Sequence, residues 1–425
     1  MTGVVQSPKH ELEPLTREAA LDTIAMAATL LFAHGQTTER TIVAAERLGR
    51  ALGVPVRVLP YWGELTVEID GTPISQIVPV KPIGIDMGKV LAITTVVDKV
   101  CNGTLRAEAA RPELTSAGRL PPASTLRFTL FAAVGAVSLG VIYGELEVTS
   151  LFLMALSAAI GAVVRRWLSG LTGNPLIQPL SAAAIAGVVA AVAGRLQLSD
   201  GIAFIAFCPC MVLVPGPHLL NGAIDLARTR IALGIARLVY AGLIVLMICA
   251  GHLIGFAVGG APLSAAGPSA PVPMIADVIA AGGAVAAFGT FFSMPWRQLP
   301  FPIVAGMLAH AARWALISFA GVNVATGALA ACILVSAIVA PVADRWHLPF
   351  AALAFSAVVS MMPGFFLFQA ARGVIELVSV GPTAPTTLLV TIAANGATAF
   401  LVIMAMTFGL ILPRMLFERF LPAPT

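Results

Sequence analysis

Ten stretches of mostly apolar residues follow one another from residue 126 to the C-terminal end, at 126–143, 149–168, 176–194, 199–228, 230–257, 273–294, 299–320, 323–342, 347–372 and 385–412. An α-helix needs about 20 such residues to cross the hydrocarbon of a bilayer. A chain with ten of them has few other folds open to it, because lipid leaves every backbone amide and carbonyl to be satisfied within the protein. Composition points the same way. Of the 425 residues 58% are hydrophobic and 11% are charged, with mean hydropathy +0.93, whereas a soluble domain is about a quarter charged. The net charge of +4 calls for no nucleic acid, since cytoplasmic loops of membrane proteins are rich in Lys and Arg. If residues 1–122 are cytoplasmic, then Arg165, Arg166, Arg228, Arg230, Arg297, Arg345, Arg414 and Arg419 fall on the same side as they do, and only Arg195 and Arg372 run against that orientation. An even number of spans then puts both termini in the cytoplasm.

The fourth and ninth stretches exceed a simple span, and each is interrupted. Val214–Leu226 contains Pro215-Gly216, His218, Asn221 and Asp225; Met362–Leu377 contains Pro363-Gly364, Gln369 and Glu376. Both breaks keep one offset of 148 residues, which also lays Ala132–Val137 on Ala280–Val285 and Arg165 on Arg313. The match fades in the fifth and tenth stretches. A duplicated unit of five spans, an odd number, would lie inverted relative to its copy, and inverted repeats with discontinuous helices are an architecture of secondary transporters. The expected fold is an α-helical polytopic membrane protein of two five-helix repeats, 123–258 and 273–413, joined by an outer linker 259–272 and followed by a cytoplasmic tail 414–425.

A Pro-Gly break frees backbone groups that lipid cannot satisfy, so it must be buried in protein or face a watery cavity. The half-helices after Gly216 and Gly364 would present amides to such a cavity and attract anionic groups. This places a substrate path at Pro215, Gly216, His218, Asn221, Pro363, Gly364, Gln369 and Asn395, the last also able to bond across helices. Plain proline kinks are the competing reading. Intramembrane ionisable residues are functional pointers, and Asp225, Asp277, Arg313 and Glu376 are candidates for proton coupling or ion pairing, with Arg237 as a further cation. For Asp277 a headgroup-level position competes with that role. His218, His252 and His310 could relay protons, a hydrogen-bonded structural role being the commoner alternative. Arg165, beside Arg166 and Trp167, reads as an interfacial anchor.

Residues 1–14 are polar and are expected to be disordered; 15–122 form a small α+β domain. Helices are predicted at 16–33 and 38–52, three short alternating strands at 54–61, 64–69 and 74–80, and helices at 86–100 and 104–114. His34–Arg40 suggests a catalytic centre, but a helix–turn–helix corner with Thr37 or Thr38 as the cap accounts for it without a nucleophile set. Cys208-Pro209-Cys210 has no accompanying cysteine or histidine cluster, so no metal and no cofactor is expected. No cleavable signal segment precedes the first domain.

Three features resemble the threonine/serine exporter family: Gly35–Thr41 leading into Ala44–Gly53, Asp86–Gly103 with Leu105–Ala110 after it, and the layout of a soluble domain before ten spans with Pro-Gly elements in both halves. The resemblance runs from about residue 16 to 413. It implies proton-driven export of small amino acids, threonine and serine, from the cytoplasm; split relatives are linked to dicarboxylate export. Family members often carry an acidic residue two positions after the Arg of the first motif, where this chain has Ile42, which counts against a hydrolase. The expected location is the bacterial cytoplasmic (inner) membrane, and the expected partners are a small amino-acid substrate, protons and lipid, with a homo-oligomer allowed. Export of dicarboxylates or other small metabolites, a membrane-anchored hydrolase built on His34, Glu39 and Arg40, and a ligand sensor are the alternatives.

Overall fold

The computed structural model describes residues 16–261, 271–345, 350–361 and 363–420. The expected disordered segment 1–14, most of the linker 259–272 and the end of the tail lie outside the described residues.

The chain opens with α1 (Arg17–Ala33) and α2 (Thr38–Ala51). Thr16 and Thr37 cap them, their side chains accepting from the amides of Ala19 and Arg40, which satisfies donors that a helix start leaves unpaired. Gly35, at φ +91°, turns the chain between them. Strands β1 (Val56–Tyr61), β2 (Gly63–Ile69) and β3 (Ser75–Val80) form an antiparallel meander in that order, with Val58 opposite Val67 and Leu65 opposite Val78. Helices α3 (Met87–Cys101), capped by Asp86, and α4 (Ala107–Gly118) complete this front section. Leu21, Ile24, Leu31, Phe32, Leu48, Leu65, Ile93 and Leu114 are fully buried in it.

The remaining helices are apolar, and most are long. They are α5 (Thr125–Ile142), α6 (Val148–Leu171), α7 (Ile177–Arg195), α8 (Ile202–Met211), α9 (Gly216–Ala227), α10 (Ile231–Gly259), α11 (Met274–Phe291), α12 (Pro300–Ala320), α13 (Val324–Arg345), α14 (Phe350–Val358), α15 (Gly364–Val380) and α16 (Thr386–Phe420). Among the described residues nine helices are long and apolar enough to cross a membrane, or ten if α8 and α9, bent by 62° at their junction, count as one broken span. The chain is a helical polytopic membrane protein.

Packing relies on small residues. In lipid, helices associate through close backbone contact rather than hydrophobic exclusion. Gly251, Gly255 and Gly259 form a stripe on α10 against α7, so close that a Cβ at Gly255 would meet the Cα of Gly187 and the amide of Val188 at 2.8 Å each. Helices α5 and α11 cross at Gly135, which faces Ala287, and at Gly283, which faces Ser138. On one side of this crossing α6 packs on α5, α7 on α6, and α10 on both α7 and α9; on the other, α12 packs on α11, α13 on α12, and α16 on both α13 and α15.

The ninth stretch differs from its expected limits. A 3-10 turn at Val359–Met361 follows α14, and α15 continues eight residues beyond 372. No proline occurs in that interval, and Arg372 joins Gln369 to Glu376 along the helix by bonds of 3.4 and 2.8 Å. Gly381, at φ +67°, provides the stop.

Candidate functional site

The two Pro-Gly breaks lie against each other. Pro209 removes a ladder bond near the end of α8, and the chain unwinds from Val212 to Pro215 before α9 begins. Pro363 precedes α15 in the same way. Gly364 faces Val214 and Met211, whose nearest atoms would lie 3.3 and 3.7 Å from a Cβ placed there. Stacked rings extend the contact: Tyr143 and Phe204 on Phe365, and Phe207 on Phe368. Pro215, Gly216, Pro363 and Gly364 are all buried at this meeting point.

The amides after the first break do not form an anion site. Gly216 N–H donates to the Val214 carbonyl at 2.7 Å, Pro217 has no N–H, and the amides of His218 and Leu219 both donate to Pro215 at 3.0 Å. The expectation of free amides there is overturned, because a local turn and a second proline consume them. In the second break the Leu367 amide donates to the Pro363 carbonyl at 3.0 Å, the first bond of α15.

A cavity of about 420 Å³ opens beside the first break, between the membrane helices and the front section, within the range of small-ligand sites. Val214, Pro215 and His218 form part of its wall, Arg165, Arg166 and Gln178 another part, and Ile83–Asp86 of the front section a third. A narrower pocket shares Arg165, Phe128 and Phe291 with it and reaches Ser157, Pro209 and Val212. Arg165 therefore lines a cavity within the protein. Its guanidinium lies 4.8 Å from the centre of the Phe291 ring, an arrangement hidden from local sequence. Asp86, the cap of α3, accepts from the Lys89 amide at 3.0 Å; burial nonetheless raises its pKa above the usual carboxylate value.

The polar residues of α9 face the front section. The His218 ring packs edge-on against Tyr240 and its Nε2 lies 3.3 Å from the Ile83 carbonyl. Asn221 donates to the Gly35 carbonyl at 3.4 Å. Asp225, 1% exposed, accepts from Arg237 Nε at 3.0 Å and from Thr38 Oγ1 at 2.9 Å. At the rim Glu39 pairs with Arg230 at 2.6 Å and Arg228 at 2.8 Å. Partial burial would raise the Glu39 pKa, but the two arginines outweigh it and hold the carboxyl below its usual value. The Gly35–Thr41 motif thus caps a helix and docks the front section on the membrane helices. Burial, and secondarily Lys89, lowers the pKa of His34 to about 4.

At the second break a buried chain of three side chains appears. Asp277 Oδ2 lies 3.1 Å from His310 Nδ1, and His310 Nε2 lies 3.0 Å from Ser360 Oγ in the turn before Pro363. All three are at most 4% exposed, so Asp277 faces the protein interior. Ser360 has no motif around it and was not legible as a site residue. Gln369 and Glu376 bind only Arg372 of their own helix among the bonds described, and the Glu376 side chain is 45% exposed. Asn395 donates to Thr391 one turn back on its own helix, rather than across helices as expected. Arg313 keeps a buried Nε without a hydrogen-bond partner, as does Arg165. His252 Nε2 sits 2.9 Å from the Ala206 carbonyl, a structural bond. The five cysteines are free.

No solved structure matches the chain. Residues 22–259 match the family model described as "Putative threonine/serine exporter" and residues 277–416 the one described as "Threonine/Serine exporter, ThrE". The two matches take in the front section, both breaks and the cavity beside the first, and the chain belongs to the threonine/serine exporter family.

Proposed function

We propose that the protein exports small amino acids, threonine and serine, across the bacterial cytoplasmic membrane in exchange for protons, along a path at the paired broken helices. The observation that carries this reading is the contact between the two breaks at the wall of a cavity. Discontinuous helices near the bilayer midplane are where many secondary transporters bind their cargo. A repeat is supported by helix starts that keep one spacing, Ile202 and Phe350 being 148 residues apart, as are Gly216 and Gly364, and five spans per unit would make it an inverted one. The reciprocal crossing of Gly135 and Gly283, also 148 apart, supports it further. In this reading 15–122 is a cytoplasmic α+β domain, 123–258 and 273–413 are the repeats, and both termini are cytoplasmic.

Of the carboxylates, Asp277 is the one we assign to proton coupling. Asp225 is neutralised by Arg237, and Glu376 is exposed beside Arg372. Asp277 alone is linked, through His310 and Ser360, to a break. A proton moving along that chain would alter the bonding of the turn at Val359–Met361 and so bias the position of α15.

The test uses cells loaded with a threonine- or serine-containing dipeptide. Wild type should lower internal threonine and serine, and collapse of the proton gradient should stop it. Asp277→Asn should abolish gradient-driven export while retaining exchange of internal for external threonine; Ser360→Ala should slow it; Glu376→Gln should stay within about twofold, because an exposed i,i+4 pair contributes only tenths of a kcal/mol. Export by Asp277→Asn at the wild-type rate, or export indifferent to the gradient, refutes the coupling. Failure of the wild type to lower either amino acid refutes the substrate.

A further inference from the structure

The amides of the first break are taken, so an anionic group arriving in the cavity needs another partner. Arg165 has a buried Nε with no partner, and it belongs to both the cavity and its narrow extension. Its neighbour Arg166 is already engaged, donating to the Ala123 carbonyl at 2.6 Å and lying over Phe128. A buried donor with no partner is costly, and a carboxylate accepting from it relieves that cost with a charge-assisted bond. The part of the wall that the front section supplies bears the opposite charge, on Asp86, 9% exposed. One further unpaired polar atom lines the extension. Ser157 is 1% exposed, and its hydroxyl has no partner. Ser157 and Arg165 are eight residues apart on α6, hence near one face, and an arginine side chain on a helix leans toward the N-terminus, here toward Ser157.

We propose that the cavity and its extension form a binding site for a zwitterionic hydroxy-amino acid, in which Arg165 takes the α-carboxylate, Asp86 takes the α-ammonium as the ligand arrives, and Ser157 takes the side-chain hydroxyl as it advances. The assignment rests on the export reading above and deepens it. It makes the front section part of the site, not an appendage to it. It also selects between substrate classes: a dicarboxylate would set its second charge against Asp86, whereas an amino acid sets its ammonium there. Arg165 and Asp86 act by charge, Ser157 by a hydrogen bond that valine, the near-isostere of threonine, cannot return.

Binding to the purified full-length protein in nanodiscs tests this, with L-threonine, L-valine, L-threoninamide, N-acetyl-L-threonine and L-malate as probes. Wild type should bind threonine at least about tenfold more tightly than each of the other four, since each lacks or reverses one contact. Arg165→Gln should bring threonine down to the level of threoninamide. Asp86→Asn, which preserves the helix cap, should bring threonine and N-acetylthreonine together. Ser157→Ala should do the same for threonine and valine. Unchanged threonine affinity in both Arg165→Gln and Asp86→Asn, or displacement of threonine from wild type by equimolar malate, overturns the site while leaving export standing. The predicted binding pattern in a protein that fails to export threonine or serine from cells would support the site and refute the export reading. Binding of none of the probes by wild type would overturn both.

Discussion

The tie between the front section and the membrane helices can be measured at Asp225. Its carboxylate accepts from Arg237 at 3.0 Å and from Thr38 at 2.9 Å, and neither Asp225 nor Arg237 is more than 1% exposed. At 3 Å and an effective dielectric of about 20 the pair attracts by roughly 5 kcal/mol, a gain of the same order as the desolvation of the two ions. The intact pair therefore adds little net stability, while removing one member leaves a buried charge. Asp225→Asn should cost about 3–5 kcal/mol. Thr38→Val removes the bond to the charged acceptor together with the longer one, 3.4 Å, that its hydroxyl accepts from Arg237 Nη2, and should cost about 1.5–3 kcal/mol. Because both act on one oxygen, the double variant should fall short of the sum by at least about 1 kcal/mol. Asp225→Leu with Arg237→Met should return close to wild type. Trp62 packs on Tyr240 across the same junction, with ring centres 5.5 Å apart, so fluorescence of a chain keeping Trp62 as its only tryptophan reports docking in a urea titration. Additive losses for Thr38→Val and Asp225→Asn would refute a shared bond, and an unfolded Leu/Met pair would refute the claim that the charges contribute little.

Three further outcomes follow from the packing and the titrating groups. Gly255→Ala should destabilise by about 1–3 kcal/mol, seen as a lower Tm in detergent, because the new methyl meets backbone of α7; Gly242→Ala, with nothing within 4 Å of its Cβ, should leave Tm unchanged or slightly raised. His34, with its pKa lowered to about 4 from 6.5, is neutral when folded, so its contribution is complete above pH 6.5 and is lost as pH falls through 4; His34→Gln should flatten that part of the Trp62 docking curve. Glu39→Gln should weaken docking by less than Thr38→Val, since the Glu39 side chain is 36% exposed and its pairs are screened, and it should abolish the loss of docking on acidification through the range where Glu39 takes up its proton.

Much of the architecture was legible because it is local. Helical spacing, Thr caps and Gly turns mark α1–α3 and the three strands within two residues of where they occur, and apolar runs mark the spans. The breaks were legible because Pro-Gly is conspicuous in an apolar run. What escaped depends on contacts far apart in sequence. Asn221 reads as a path-lining group and Asp225 as a proton-coupling or ion-pairing one, but nothing local shows that Gly35 and Thr38, 186 and 187 residues earlier, are bonded to them. Arg165 looks like an anchor because Arg166 and Trp167 follow it, and only the rings of Phe128 and Phe291 closing around it show an interior position. The repeat register did hold a clue, since Arg165 falls on Arg313 and both have an unpaired buried Nε. Ser360 had no such clue: one serine in an apolar run acquires meaning only from His310.

The docking contacts bear on how the proposed cycle could work. Helix α9 carries the first break at its start and Asp225 near its end, and Thr38 and Glu39 hold that end and the adjoining Arg228 and Arg230. At the start of α9, His218 lies against Ile83 in the same loop that contributes Asp86 to the cavity. The front section is thus attached at both ends of one short helix. A swing of α9 about Pro215 that left the front section behind would break a buried ion–hydroxyl bond and two charge pairs at once, whereas a joint movement would break none of them. The lower-energy route is for the two to move as one body against α15 across the Val214–Gly364 contact. In that case the proton-linked turn at Ser360 and the ligand-facing loop at Asp86 stand on opposite sides of one sliding surface, which is the arrangement needed for protonation on one side to change access on the other.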